Sequence, residues 1–140
     1  MRFLLFLLCF AILIACKPQE YQLEVKPKLI LKEGFYIEIP PAISEGKSYV
    51  KVILKFEEFD KETLKIKGFY FRNNFISMKE VKDPFSIEGS IIRSQSENVS
   101  KNIPFELEPF EVVLSYENNK KLKYIKYSVK RKISFDDVPR

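Results

Sequence analysis

The feature that most constrains the fold is the recurrence of an apolar residue at every second position near the middle of the chain. Within residues 49–57 every second residue is apolar: Val50, Val52, Leu54 and Phe56. Lys51, Lys55 and Glu57 stand between or beside them. Because successive side chains of a β-strand point to opposite faces, a period of two residues predicts a strand with one face in a core and the other in solvent.

Several other segments carry apolar residues in short runs or alternation and are also predicted to be strands. They are residues 29–31, 35–39, 63–72, 75–80, 85–93, 110–117 and 120–133, with Gly34 breaking the first two apart, and residues 103–107 are a candidate for one more short strand. In residues 63–72 the apolar positions change parity at Gly68, which predicts a β-bulge. Asn73-Asn74 and Asn118-Asn119 separate consecutive strands, and because asparagine tolerates positive φ, both pairs predict tight hairpins.

Seven or eight short strands separated by turn residues predict an all-β fold. We expect an antiparallel sandwich of two sheets, immunoglobulin-like in outline, with a small β-barrel as the alternative. Residues 28–140 are long enough to form one such domain with its own core. Residues 16–27, which precede this single domain, are predicted to be a tether.

The first sixteen residues differ in composition from the rest of the chain. Arg2 supplies one positive charge, residues 3–15 are all apolar, and Leu13-Ile14-Ala15 precede Cys16. A charged start, a short apolar run and small residues before a cleavage site are typical of an export signal. A run of this length is too short for a membrane-spanning helix, which needs about 20 apolar residues. Residues 1–15 are therefore predicted to be a signal peptide that is removed.

The residues Leu13-Ile14-Ala15-Cys16 resemble the lipobox of bacterial lipoproteins, in which the cysteine thiol carries a diacylglycerol and the new N-terminus is acylated. The resemblance implies that Cys16 is lipidated, begins the mature chain and anchors it to a membrane. Lys17 stands where the family often carries an inner-membrane retention aspartate, which implies the outer membrane of the cell envelope. The Phe-, Lys- and Ile-rich remainder is similar in style to small Gram-negative lipoproteins. The alternative is an ordinary signal peptide in which Cys16 is incidental.

The mature chain offers few catalytic residue types. The full sequence contains no histidine and no tryptophan, and its two cysteines are Cys9, in the predicted signal peptide, and Cys16. This composition excludes a histidine-dependent triad, a zinc site that uses histidine and a disulfide within the domain. Only four glycines occur, so a glycine-rich phosphate loop is not expected either. We expect no cofactor and no metal.

Positive charge is concentrated towards the C-terminus. Residues 116–140 hold eight Lys or Arg against three Asp or Glu, whereas residues 17–115 hold fifteen against sixteen. The predicted last strand supplies a candidate partner surface made of Lys121, Lys123, Tyr124, Lys126, Tyr127, Lys130 and Arg131. Such a surface fits an acidic envelope protein, a lipid headgroup or an anionic glycan, and nucleic acid is not expected as a partner of an exported protein. The alternative is that these lysines prevent an edge strand from pairing with another chain.

Two further groups of residues favour structural roles. Glu57, Glu58, Asp60 and Glu62 cluster at one predicted turn, but they lack the spacing and the glycine of a calcium-binding loop, so a solvated turn is expected. The thirteen phenylalanines are expected to fill the core, because no tryptophan is present to supply large apolar volumes.

Three classes of function remain. The leading hypothesis is a membrane-anchored, non-catalytic lipoprotein whose domain binds a partner or helps to assemble an envelope complex, through the basic strand or the polar loop of residues 94–102. The second is a periplasmic inhibitor or a ligand- or glycan-binding lipoprotein. The third, remote alternative is a hydrolase that uses carboxylates alone. The sequence favours no oligomeric state.

Replacement of Cys16 tests the predicted anchor. Cys16→Ala is expected to abolish the incorporation of labelled palmitate into the protein, because the thiol is the predicted site of acylation. Cys9→Ala is the matched control and should incorporate the label at the wild-type level. Gel autoradiography of the immunoprecipitated protein measures both, and label retained by Cys16→Ala would show that Cys16 does not carry the lipid.

Overall fold

The computed structural model describes residues 21–26, 28–41, 46–78, 85–93 and 103–133. These residues form eight strands: β1 (Leu31–Ile39), β2 (Tyr49–Phe56), β3 (Leu64–Phe71), β4 (Asn74–Ser77), β5 (Ser86–Ile92), β6 (Glu111–Asn118), β7 (Lys121–Ser128) and β8 (Lys130–Lys132). The first sheet has the order β5-β2-β1-β8, and the second has the order β4-β3-β6-β7. The prediction of a two-sheet sandwich is confirmed, and the two sheets do not close into the alternative barrel. Nowhere in the described ranges is there a helix that is long and apolar enough to cross a membrane.

The strand order is immunoglobulin-like. If β1 to β7 are lettered A, B, C, C′, E, F and G, the sheets are A-B-E and C′-C-F-G, with β8 added beside A. Five of the six pairs of neighbouring strands are antiparallel. The exception is β1 with β8, which is parallel and places Tyr36 opposite Arg131.

The core lies between the two sheets, where the apolar faces of their central strands meet. Val50, Val52 and Leu54 of β2 are fully buried, as the alternation in residues 49–57 predicts. The facing sheet contributes fully buried side chains from β3 and β6: Phe69, Phe71, Val112, Leu114 and Tyr116. Since burial of one large apolar side chain contributes about 1.5 to 3 kcal/mol, this layer is the main source of the stability of the fold.

The bulge predicted at Gly68 is confirmed. The pairing of β3 with β6 changes register between Ile66 and Gly68. This extra residue allows Leu64 and Ile66 before it, and Phe69 and Phe71 after it, to face the same core.

Both predicted hairpins are confirmed, and in each the two turn residues are displaced by one position from the asparagine pair. Arg72 and Asn73 have φ of 43° and 61° in the β3–β4 turn. Asn119 and Lys120 have φ of 49° and 62° in the β6–β7 turn. Two consecutive residues with positive φ match the twist of antiparallel strands, so one asparagine in each turn suffices to favour it.

The prediction of one strand over residues 120–133 is wrong, because the chain changes sheets at Val129. The N–H of Val129 donates to the carbonyl of Phe110 at 2.8 Å, and its side chain is buried in the core. β7 therefore ends in the second sheet, and β8 begins in the first.

Two smaller strand predictions are also wrong. Residues 103–107 form no strand, because Phe105 instead packs with its ring against Tyr70 and Tyr124. Gly34 does not separate two strands but lies inside β1, where a Cβ would approach Leu31 Cδ2 to 2.9 Å.

Substitution of Gly68 tests the geometry of the bulge. A Cβ at this position would lie 2.2 Å from the backbone oxygen of Ile76, which cannot move away as a side chain can. Gly68→Ala is expected to lower the free energy of unfolding by about 3 kcal/mol, the upper range for overpacking. Gly34→Ala is the matched control and is expected to cost about 1 kcal/mol, because its closest neighbours are side-chain methyl groups. Urea unfolding of the unacylated mature chain measures both, and equal losses would contradict the bulge geometry.

Candidate functional site

Residues 21–26, called here the N-terminal segment, lie beside β7 at the edge of the second sheet. Leu23 forms a parallel bridge with Tyr124, and the N–H of Glu24 donates to the carbonyl of Tyr124 at 2.8 Å. A surface groove of about 630 Å³ follows this contact and is lined by residues 22–26 and 122–124. Half of the predicted tether is thus seated on the domain.

The side chain of Glu24 joins this segment to the core. Lys123 Nζ donates to Glu24 Oε1 at 2.7 Å, and the hydroxyl of Tyr116 donates to Glu24 Oε2. Burial opposes ionisation of Glu24, but the hydrogen bonds from Lys123 and Tyr116 outweigh it and lower the pKa of the carboxyl group. Burial and the adjacent carboxylate together raise the pKa of Tyr116, so its hydroxyl keeps its proton. The Glu24 carboxylate is thus an anion that accepts hydrogen bonds from two donors, the Lys123 ammonium group and the Tyr116 hydroxyl group.

An aromatic cluster covers the outer face of the second sheet next to the N-terminal segment. Tyr124 lies 5.5 Å from Tyr21 and 5.2 Å from Phe105 between ring centroids. Phe105 in turn lies 5.2 Å from Tyr70, which lies 4.7 Å from Phe75. The two ends of this row are the more accessible, since Tyr21 is 42% and Phe75 47% exposed.

The structure places the predicted partner surface on one side of the sandwich but divides it between the two sheets. Three of its cations are paired with glutamates: Lys123 with Glu24 at 2.7 Å, Lys126 with Glu111 at 3.2 Å and Arg131 with Glu38 at 3.0 Å. Pairing with acids reduces the positive field that these cations can present to a partner.

The remaining members of the predicted surface differ in exposure. Tyr124 is buried in the aromatic cluster, and Tyr127 points towards the core, where its hydroxyl donates to the carbonyl of Leu29 at 2.5 Å. Lys121 and Lys130 are exposed, and neither has an ionic partner within the described part of the chain. β8, with its sequence Lys130-Arg131-Lys132, is an edge strand, which is where lysines that block strand pairing are found. Cys16 and the predicted loop of residues 94–102 lie outside the described residues.

Arg72 lies in the β3–β4 turn, at the end of the sandwich opposite to the β6–β7 turn. Its guanidinium carbon lies 4.8 Å from the ring of Tyr36 and 5.1 Å from that of Phe71, and its Nη2 lies 3.6 Å from Glu38 Oε1. Its Nε also donates to the carbonyl of Pro109 at 3.3 Å. Because these partners belong to both sheets and a loop, Arg72 is a cross-link rather than a free cation.

Each described carboxylate whose pKa is shifted has a lowered pKa, which favours its ionised form. A hydrogen bond from Lys132 lowers the pKa of Glu33, one from Thr63 lowers that of Asp60, and one from the backbone of Glu108 lowers that of Glu111. No three His, Cys, Asp or Glu side chains come together as a metal site among the described residues. The acidic cluster of residues 57–62 is exposed except at Phe59, as a solvated turn would be.

Glu24 and Tyr116 were not among the predicted site residues. The available signal is the alternation of Tyr21, Leu23 and Val25 with polar neighbours, which is the pattern of a short strand. The contact between Glu24 and Tyr116 has no local sequence pattern, because these two residues are 92 positions apart in the chain.

Comparisons with protein-family models, with curated proteins and with solved structures found no match for this chain. The candidate function is therefore argued from the residues and contacts of the chain itself.

The Glu24 contacts make docking of the N-terminal segment dependent on pH. Folding lowers the pKa of Glu24 below its ordinary value of 4.5. The stabilisation of the folded state by the ionised carboxylate is therefore complete above pH 4.5, and it is lost as the pH falls through the lowered pKa. Glu24→Gln is expected to cost about 1 to 2 kcal/mol of unfolding free energy at pH 7 and to cost less at pH 3.

Glu117→Gln is the matched control, because its partner Lys67 lies 3.0 Å away in a more exposed pair. This substitution is expected to cost less than about 0.5 kcal/mol at pH 7. Urea unfolding of the three proteins at both pH values measures the differences. An equal cost of Glu24→Gln at pH 7 and pH 3 would contradict the role of the charge.

Proposed function

We propose that this protein is a membrane-anchored lipoprotein of the bacterial cell envelope, lipidated at Cys16 and held at the outer membrane. Its β-sandwich is a non-catalytic module that binds an envelope partner or helps to assemble an envelope complex. Residues 1–15 are the signal peptide in this proposal, and residues 16–20 remain as the short link between the lipid and the N-terminal segment.

The observation that carries the proposal is the attachment of the N-terminal segment to β7. The segment begins five residues after Cys16 and is fixed by a backbone hydrogen bond and by the Glu24 side chain. A lipid on Cys16 would therefore be joined to the folded domain itself. This is the arrangement expected if the domain has to remain at a membrane surface.

The state of the carboxylates supports a non-catalytic role. A general acid that works near neutral pH needs a raised pKa, which usually results from burial without a cation nearby. Glu24, Glu33, Asp60 and Glu111 instead have lowered pKa values because each accepts hydrogen bonds. This environment suits structural ion pairs better than the acid of a hydrolase.

The proposed contact with an anionic partner runs through the side of the sandwich that carries β7 and β8. Lys121 and Lys130 are exposed cations of this side without an ionic partner among the described residues, and they belong to different sheets. A partner that contacts both would span the edges of the two sheets. Lys123, Lys126 and Arg131 would contribute to it while they retain their glutamate partners.

A second candidate function is glycan binding at the aromatic cluster. Sugar rings stack on exposed aromatic faces, and Tyr21 and Phe75 are both more than two fifths exposed at the ends of the row. In this case Phe75→Ala is expected to reduce binding to purified cell-wall glycan, and substitution of Lys121 and Lys130 is expected to leave it unchanged.

A pull-down from gently solubilised envelopes tests the leading proposal. The lipidated protein, tagged after Arg140, is expected to capture a defined envelope protein, and Lys121→Glu with Lys130→Glu is expected to abolish this capture by reversing both charges. Lys65→Glu is the matched control, because Lys65 is an exposed strand lysine of the second sheet. Mass spectrometry of the eluates measures capture. Equal recovery with the double variant and the control would contradict the basic contact, and recovery of no partner would favour the glycan alternative.

A further inference from the structure

The direction of the N-terminal segment determines the end of the sandwich from which the chain leaves the domain. Leu23 pairs with Tyr124 in a parallel bridge, so residues before Leu23 lie towards the beginning of β7. β7 begins at Lys121, directly after the β6–β7 turn formed by Asn119 and Lys120. The chain that leads back to Cys16 therefore departs beside this turn.

The departure point is fixed by contacts on both faces of the segment. On the outer face, the ring of Tyr21 lies 5.5 Å from that of Tyr124 and 5.9 Å from that of Phe105. On the inner face, Glu24 accepts hydrogen bonds from Lys123 and Tyr116. Tyr21, the described residue nearest to Cys16 in the sequence, is thus in contact with the domain.

The link between Cys16 and the N-terminal segment is shorter than the sandwich is long. Tyr21 is five positions after Cys16, and a fully extended chain of that length reaches at most about 18 Å. The eight residues of β6 span about 27 Å from the β3–β4 end of the sandwich to the β6–β7 turn. A lipid on Cys16 can therefore bring the β6–β7 end to the bilayer, whereas the turn at Arg72 and Asn73 stays a strand length further away.

The β6–β7 turn carries groups that can contact a lipid headgroup layer, and the exposed acidic turn of residues 57–62 lies at the same end of the sandwich, because Leu64 pairs with Asn118. Lys120 and Lys121 are exposed, and the next residue, Leu122, is 53% exposed. Lysine ammonium groups can bind headgroup phosphates, and an apolar side chain beside them can enter the boundary between headgroups and acyl chains. The turn projects beyond the strands, so it can make this contact without any change in the sheets.

We propose that residues 120–122 rest on the headgroup layer of the same bilayer that holds the lipid on Cys16, so that the sandwich stands upright with its β3–β4 turn distal. This orientation rests on the proposed lipid anchor. It leaves Arg72, Asn73 and the outer faces of both sheets available to partners away from the membrane, and a partner that contacts Lys121 and Lys130 would reach Lys121 at the membrane surface.

Depth-dependent fluorescence quenching tests the orientation. The mature domain has no thiol beyond Cys16, so a single introduced cysteine can be labelled with a fluorophore. Lys120→Cys and Asn73→Cys are a matched pair, because each is the second residue of a two-residue turn and their φ values are 62° and 61°. The labelled, acylated proteins are placed in phosphatidylethanolamine and phosphatidylglycerol vesicles that contain a headgroup-labelled quencher lipid. Position 120 is expected to be quenched several-fold more strongly than position 73.

The outcomes separate the orientation from the anchor. Equal quenching at the two positions, or stronger quenching at position 73, in protein that floats with the vesicles would overturn the orientation and leave the anchor in place. Failure of the wild-type protein to float, together with a mass that lacks acyl chains, would overturn the proposed anchor itself. If either turn variant fails to fold, Lys121→Cys and Asn74→Cys repeat the comparison at the first residue of the following strand.

Discussion

The hydrogen bond from the Tyr116 hydroxyl to Glu24 joins the interior of the sandwich to the beginning of the described chain. Tyr116 is the largest fully buried side chain, and a buried hydroxyl without a partner costs about 1 to 3 kcal/mol. Its acceptor comes from the N-terminal segment rather than from either sheet. The core is therefore completed by residues outside the eight strands, and a domain cut back to β1 would lose that acceptor.

Charged residues in this chain mainly cover and connect apolar surface. Phe35 lies on the outer face of the first sheet, yet it is only 7% exposed, because Lys132 Nζ lies 3.8 Å and Lys55 Nζ 5.5 Å from its ring centroid. Both lysines also contact Glu33. At the far end, Arg72 stacks on rings that belong to opposite sheets. Among the described residues, six lysines form ion pairs with glutamates: Lys51, Lys55, Lys67, Lys123, Lys126 and Lys132.

Most strands could be predicted from the sequence because their pattern is local. The alternation in β2, the parity change at Gly68 and the asparagines of the two hairpins each involve neighbouring residues. The change of sheet at Val129 could not be read in this way, since it depends on a hydrogen bond to Phe110 and on space in the core. The parallel pairing of β1 with β8 likewise joins residues about 95 positions apart, such as Phe35 and Lys130.

For the candidate site too, the local patterns could be predicted from the sequence and the long-range contacts could not. The basic residues of the last strand were visible in the sequence, but their glutamate partners were not, because Glu24 and Lys123 are 99 positions apart. The expectation of one basic surface assumed one strand, and the division of that strand between two sheets separates Lys121 from Lys130. Cys16 remains a prediction from its local pattern, since it lies outside the described residues.

The parallel alignment of the N-terminal segment with β7 has a mechanical consequence. Tension on the chain before Tyr21 acts along the strand axis, whereas the hydrogen bond from Glu24 to Tyr124 lies across that axis. The backbone bond, the Glu24 side-chain contacts and the packing of Tyr21 are then strained together, in shear, instead of being peeled away one at a time. Under the proposed lipid anchor, a pull from the bilayer on this domain would be resisted by the whole attachment at once.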